Sequence, residues 1–465
     1  MKKVRFARVS AVVVAGLLGS TGLATPAFAS SALKTSPTVA QTPLKITSTS
    51  GLVGTTLTLT VSGGSGTGKL TYSLTTGGTA SGCKVSGATL RATSVGTCNL
   101  YAIKVGDSTY GNAASPLTSI AFAPVPALVG TVNVNASPHG VAYDAKRNVI
   151  YVGNVQDGKL SVIDAATKMV TTTVTIPSGT AYGVAYDAGT DAIYVTDSAT
   201  GVVNVVNAST FEVSSPITVG SFPFAAAYIS DAHEVAVANY TDGTVSIIND
   251  ATKLVTATVN VGANPAALLY DSVDKYLYVA NSGVGTVSVI NTVSNAVLVT
   301  IPVGIGPTGL AWDQTDKAIF VANQISGTVS VIKTNRTITT KTINVSVGLS
   351  GIAWEASSNR IYVANTFDNT VTAFDAATYS KIGAPLGVGS NPVEIAYASG
   401  TDSLYVTNND ASTVSILAEA KRAQATLSIT TAASVKVGAT SKLKTTGGSG
   451  SGAVSFTITG GTVSY

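Results

Sequence analysis

The sequence predicts an all-β chain: a seven-bladed β-propeller preceded by a small β-sandwich and followed by an incomplete second sandwich. Three observations predict it. Only 11% of the 465 residues are charged, while glycine alone supplies 46. That composition suits short strands and tight turns, not helical bundles or coiled coils. One sequence unit recurs seven times at steps of 43, 42, 42, 42, 42 and 43 residues. Helical hydrophobic periodicity is absent along the whole chain.

The first 29 residues read as a secretory signal. Lys2, Lys3, Arg5 and Arg8 form a basic start, Val9 to Leu23 an apolar stretch, and Ala27-Phe28-Ala29 a small-x-small cleavage site. The apolar stretch is too short and glycine-broken to span a membrane, and no second long apolar segment follows. Loss of the signal removes four positive charges and leaves 23 basic against 23 acidic side chains. A neutral mature chain lacks the basic face that nucleic-acid binding needs. The expected location is therefore the cell surface, the envelope or the medium, with no membrane span in the mature chain.

After a linker over residues 30–37, residues 38–123 alternate apolar and polar side chains around glycine-rich turns such as Gly63-Gly64-Ser65-Gly66. This pattern predicts a β-sandwich. It resembles bacterial Ig-like surface modules, although their usual Trp core marker is missing. Cys83 and Cys98, the only cysteines, fall inside it. In an oxidising compartment they are expected to form a disulfide. Residues 124–127 carry Pro124-Val125-Pro126, a short stiff connector.

The repeat fills residues 128–420. Its clearest piece is an apolar residue, an aromatic, Val, any residue and Asn: Ile150 to Asn154, Ile193 to Asp197, Val235 to Asn239, Leu277 to Asn281, Ile319 to Asn323, Ile361 to Asn365 and Leu404 to Asn408. A strand ending in Tyr143, Tyr186, Tyr228, Tyr270, Trp312, Trp354 or Tyr397 precedes it, and two further alternating segments follow. Four short strands per unit is the pattern of a propeller blade. The last unit has only three strands, and an orphan strand, Val129 to Val134, opens the array. Pairing that strand with Thr413 to Leu417 completes the seventh blade, closes the ring within one chain and removes an open edge. The Asn or Asp ending the second strand, with Gly four residues later in five units, is expected to shape the hairpin between strands two and three: Asn tolerates a left-handed conformation and bonds nearby backbone, while Gly supplies positive φ. Gly140, Gly183, Ala225, Ala267, Gly309 and Gly351 start the first strands, where neighbouring sheets converge.

Tyr405-Val406-Thr407-Asn408 spells the signature of the YVTN β-propeller repeat family. Tyr151 to Asn154, Tyr278 to Asn281 and Tyr362 to Asn365 differ from it only at the third position. Asp197 and Ala236 are departures in the second and third units. The repeat region is similar to that family throughout. The resemblance implies a bacterial or archaeal surface or secreted protein. Related propellers include lactonases, a streptogramin lyase and quinoprotein dehydrogenases, so the fold alone does not select an activity.

Residues 421–465 repeat the first half of the sandwich: Gly447-Gly448-Ser449-Gly450 matches Gly63 to Gly66 at an offset of 384. Counterparts of Cys83 and Cys98 are missing. Half a sandwich exposes its core, so the chain is expected to be a fragment of a longer protein.

Candidate chemistry is sparse. Two His and two Cys exclude a His/Cys metal cluster and c-type haem, and no cofactor is indicated. The glycine runs lack the Lys and Ser/Thr of a phosphate loop, and no G-x-S-x-G supports a serine nucleophile. His233, in Ser230 to Glu234, reads as an exposed turn residue. Asp144, Asp187, Asp271, Asp313 and Glu355 recur after strand one and read as turn caps. Strand order puts eleven of the repeat's twelve basic residues near one face, conventionally the bottom: Lys146, Arg147, Lys168, Lys253, Lys275, Lys317, Lys333, Arg336, Lys341, Arg360 and Lys381. Lys159 alone approaches the top, where Asp157, Asp197, Asp242, Asp368, Asp410 and Glu394 gather, giving a mildly negative face. His139 enters the first blade at a position held elsewhere by Tyr182, Phe224, Ala266, Thr308, Ser350 and Val393. A varied ring on a repeating scaffold suits an asymmetric ligand site. Glu394 replaces Gly or Ala, and ring closure brings it near His139.

The sequence therefore reads as an exported, non-enzymatic binding protein. Its propeller closes as a monomer and presents its top face to a protein, glycan or cationic ligand, with the sandwich modules as spacers. His139, Tyr182, Phe224, Glu394, Asp157, Asp242, Asp368 and Asp410 are the candidate ligand-binding residues. Two alternatives stand beside it: an extracellular lactonase-, lyase- or hydrolase-like enzyme using His139 and Glu394, and a structural component of a surface lattice.

Overall fold

The computed structural model describes residues 39–177, 179–333 and 341–419, with the two-residue strands Ser428–Ile429 and Thr445–Thr446. The signal, the linker at 30–37, Arg336 and nearly all of the C-terminal module lie outside the described residues. Every regular element among those described is a strand, and no helix there is long and apolar enough to cross a membrane.

From Pro126 onward the strands form seven four-stranded antiparallel sheets. In six of them the strands follow chain order, as in Pro138–Asp144, Val149–Asn154, Lys159–Asp164 and Met169–Thr175. The seventh joins the two ends of the array. Pro126–Asn133 lies antiparallel beside Thr413–Glu419, with Leu128 opposite Leu417 and Val132 opposite Val414. The first strand of each sheet touches the first strand of the next, and Pro392–Ala398 touches Pro138–Asp144, so the sheets follow one another in a cycle.

The two central strands of each sheet are the most buried, because neighbouring sheets cover both faces. Tyr151, Tyr194, Tyr362 and Tyr405 are fully buried, as are Ile150, Ile193 and Phe320. Burial of such rings strands a polar hydroxyl, and the repeat supplies its partner. The Tyr151 hydroxyl donates to Asp144 at 3.0 Å, and that of Tyr362 to Glu355 at 3.0 Å. Asp144 also caps its turn, accepting from the Lys146 and Arg147 backbone N–H groups. Asp187, Asp271 and Asp313 cap their turns in the same way. Five of the seven units carry an acidic residue after strand one, with Ile229 and Ala398 in the other two; Asp144 and Glu355 each also hold a core ring.

Glycine supplies the positive φ of the hairpin, as expected, and the Asn ending the second strand has a further part. None of Asn154, Asn239, Asn281, Asn323, Asn365 or Asn408 has a positive φ; Gly158, Gly201, Gly243, Gly285 and Gly327 do. The Asn stays in the strand, buried. In five units its side-chain amide donates to a serine seven residues later on strand three, as in Asn239 to Ser246 (2.9 Å), Asn323 to Ser330 (3.0 Å) and Asn408 to Ser415 (2.9 Å), whereas Asn365 donates to Ser346 and Asp368. The motif therefore ties two strands through their side chains, while glycine makes the turn. The small residues opening the first strands have the expected cause. A Cβ on Gly183 would lie 2.4 Å from the Phe224 carbonyl oxygen, and one on Gly309 2.4 Å from that of Ser350.

The N-terminal module holds a five-stranded, a three-stranded and a two-stranded sheet. They share a core of Ile46, Leu59, Leu90, Leu100, Ile120 and Phe122. The expected disulfide is formed: Cys83 and Cys98 are bonded, with Cα atoms 5.9 Å apart, and Cys98 is buried in that core. The module meets the ring where Arg360 donates to the Pro124 carbonyl at 3.0 Å. The same guanidinium, itself buried, pairs with the partly buried Glu419 at the end of the closing strand. Ser358 and Tyr362 also donate to Glu419.

Two outcomes follow. Alkylation of the unreduced protein followed by intact-mass measurement should modify no cysteine, and reduction should expose two. Glu419→Ala leaves the buried Arg360 charge unpaired and should cost about 3–5 kcal/mol in denaturant unfolding, whereas Lys275→Ala, an exposed pair partner, should cost less than about 1 kcal/mol.

Candidate functional site

The varied ring that opens the first strands lines a single cavity. His139, Tyr182, Phe224, Ala266, Thr308, Ser350 and Val393 all face a space of about 600 Å³ at the mouth of the central channel. Their side chains project there because each stands just before the point where adjacent first strands come into backbone contact. A second ring contributes Tyr240, Ser282, Gln324 and Thr366, each the residue after the strand-two Asn or its equivalent. The sequence reading passed over this column, although the same register that exposes the first ring would have shown it. Ile305, Ile325 and Phe367 stand at the rim, 62%, 61% and 71% exposed.

The wall is chemically divided. On one side His139, Tyr182, Phe222, Phe224 and Tyr240 form a continuous aromatic arc, with centroids of successive rings 4.1 to 6.2 Å apart. Across the mouth lie the hydroxyl and amide groups of Ser282, Thr308, Gln324, Ser350, Thr366 and Asn391.

Glu394 marks the seam between the last and first sheets. At other seams the backbones approach directly, as where the Gly140 N–H donates to the Tyr182 carbonyl at 2.9 Å. At this one the Glu394 carboxylate intervenes and accepts from the Val141 N–H at 3.0 Å. Thr407 completes the join: it accepts from the Glu394 N–H at 3.1 Å and donates to the His139 carbonyl at 2.8 Å. The carboxylate also borders a lower space of about 170 Å³, so it stands between mouth and channel. It keeps some surface toward these cavities while lying deep within the ring. That burial pushes its pKa up to about 7, opposed only by the Val141 N–H.

His139 and Glu394 share the cavity but form no acid–base pair. The His139 ring packs on Tyr182 and Phe224, and its buried Nδ1 has no hydrogen-bond partner. Burial lowers its pKa to about 4. It is therefore neutral throughout the range in which Glu394 ionises and supplies no counter-charge. Burial, then the Glu394 carboxylate, hold the Tyr182 phenol above its ordinary range. No cluster of three metal-ligating side chains occurs among the described residues.

The other candidate acids lie outside this wall. Asp157 accepts from the Ala136 N–H at 2.7 Å and Asp242 from the Ser221 N–H at 2.7 Å, each tying two loops of the top face. Asp368 accepts from Asn365 and Asp410 from Asn391, both at 3.2 Å. Asp197 accepts from the Ala199 and Thr200 N–H groups and from Thr180. Their geometry shapes the loops around the mouth. His233 lies in a turn, 69% exposed at its side chain, 3.4 Å from Asp250. On the bottom face Arg147 bridges Asp144 and Asp191, which belong to successive sheets.

No family model and no curated protein matches the chain. Among solved structures, the fold is similar to Kuenenia stuttgartiensis hydrazine synthase, with 16% identity and a TM-score of 0.54 over 60% of this chain and 95% of that one. At that identity the likeness concerns fold alone. It agrees with the all-β, four-stranded-sheet repeat of a β-propeller.

A carboxyl whose pKa is higher folded than unfolded binds protons more tightly in the folded state. Its contribution to stability is present at low pH and is lost as pH rises from the unfolded value through about 7. Glu394→Gln keeps an acceptor for Val141 and removes the ionisation. Thermal melts should therefore show the variant gaining on the parent between pH 5 and pH 8, with the gap widest at pH 8.

Proposed function

We propose that this chain is an exported binding protein: a seven-bladed propeller of the YVTN kind, flanked by Ig-like modules, that captures a partner at its top mouth. Seven four-stranded sheets, closure of the last by the first strand and the recurring Tyr-Val-x-Asn motif support the blade count and the family. The Cys83–Cys98 disulfide is compatible with an extracellular protein and supports export together with the basic and apolar N-terminus. The modular flanks then act as spacers.

The observation that carries the binding reading is the cavity itself. A repeat that is nearly uniform in its core places seven dissimilar side chains around one opening. The cavity has the size of a small-molecule or side-chain pocket, and exposed apolar residues rim it. Apolar surface at a concave, polar-lined opening suits docking. Binding is favoured over catalysis because the His139 ring is neutral, is packed between aromatic rings and has no carboxylate orienting it.

The test is a screen of the purified chain on glycan and peptide arrays, followed by affinity measurement of each hit. Replacing Ile325 and Phe367 together by Ser should weaken binding at least about tenfold, as loss of buried apolar contact does. Lys275→Ala on the bottom face should leave it unchanged. The reverse pattern would move the binding face elsewhere and overturn the reading.

A further inference from the structure

We propose that the mouth takes a primary ammonium group on an apolar stem, with Glu394 as its counter-charge and the aromatic arc as its wall. The inference rests on the mouth being a binding site and names the class of ligand.

Three independent features point to this chemistry. First, the carboxylate is deep and has no cationic partner. The side chains lining the two spaces it borders include no Lys or Arg, and Glu394 is the only acid among them. The titratable groups facing it are His139 from the first sheet, Tyr182 from the second and Tyr240 from the third. None of these is positive in the neutral range. A buried carboxylate without a counter-ion costs free energy that an incoming cation recovers. Second, the arc of Tyr182, Phe224 and Tyr240 offers ring surface to the same cavity, and ring faces attract ammonium ions more strongly once water is excluded. Third, Ile305, Ile325 and Phe367 give the rim an apolar collar that fits a hydrocarbon stem and not a hydrated metal ion.

The position of Glu394 adds to this. The other six units hold Gly or Ala there, and Gly140, Gly183, Gly309 and Gly351 leave no room for a Cβ against the neighbouring backbone. At the seam closed by Thr407 the longer side chain is accommodated, its carboxylate accepting from the Val141 N–H. The ring thus carries one acid, at one azimuth, beside the aromatic half of its wall. A ligand cation enters with a defined orientation.

Two sources share this chemistry: a free alkylamine and a lysine side chain of a partner polypeptide. Calorimetric titration with n-pentylammonium, n-pentanol and an acetylated, amidated Leu-Lys-Leu peptide distinguishes them. Pentylammonium should bind at pH 8 and weaken about tenfold or more by pH 5.5, as the carboxylate takes up its proton. Pentanol should bind at least about tenfold more weakly at pH 8, lacking the charge. Glu394→Gln should abolish both the preference for ammonium and the pH dependence, with its melting temperature confirming a folded ring. Tighter binding of the peptide than of pentylammonium identifies a polypeptide partner; the reverse identifies a small amine. Equal binding of alcohol and ammonium, or an unchanged Glu394→Gln variant, overturns the inference. Array hits that depend on Ile325 and Phe367 but ignore pH and Glu394→Gln would sink the ammonium assignment and leave the binding mouth standing. Hits indifferent to all three residues would remove both.

Discussion

The pairing of Pro126–Asn133 with Thr413–Glu419 is the constraint on which the rest of the ring depends. It joins the ends of a stretch of nearly 300 residues through a few ladder hydrogen bonds. Each of the other six sheets is local in sequence, closed by short turns. Without the closing pair, the last sheet would keep an open edge and the first and last units would have no fixed relation. The seam with Glu394, Thr407 and His139 exists only because closure brings residues over 250 positions apart into hydrogen-bond contact. Arg360 and Glu419 strengthen the same junction and connect it to the N-terminal module through Pro124.

Uniformity and deviation serve different purposes along the repeat. The recurrent residues satisfy one another inside the sheets: the amide on the strand-three serine in five units, and the ring hydroxyl on the turn acid in the first and sixth. Those positions tolerate little change because each buried polar atom depends on a specific partner. The first residues of the inner strands are free of that demand. Their side chains leave the sheet at the channel mouth, so the chain varies them without disturbing the core. His139, Tyr182 and Phe224 of the aromatic arc occupy such positions.

Much of this was legible in the sequence. Strand alternation and a fixed period make the repeat visible, and its phase makes the closing strand visible, since register needs no knowledge of side-chain geometry. The ring of His139, Tyr182 and Phe224 could be placed for the same reason. Three features resisted. The Asn of the motif looks like a turn residue because Asn commonly is one; its serine partner sits seven residues away, across a hairpin, where local spacing says nothing. The independence of His139 from Glu394 was equally hidden. Their proximity follows from topology, but the packing of the imidazole on Tyr182 and the capture of the carboxylate by the Val141 N–H depend on rotamers. The outer acids Asp157 and Asp242 were visible as charges, not as the loop ties they form.

Closure by the first strand also sets a timetable for synthesis. Pro126–Asn133 emerges from the ribosome well before its partner, and at about 5–20 residues per second the wait is roughly a quarter of a minute to a minute. Throughout that interval an extended segment carrying Leu128, Val129 and Val132 has no ladder to join. Its neighbour on the N-terminal side is a module made earlier, which tethers the waiting strand at one end. Long-range pairing of this kind is slow, so the ring's last step, and its most exposed moment, comes only after Thr413–Glu419 has been made.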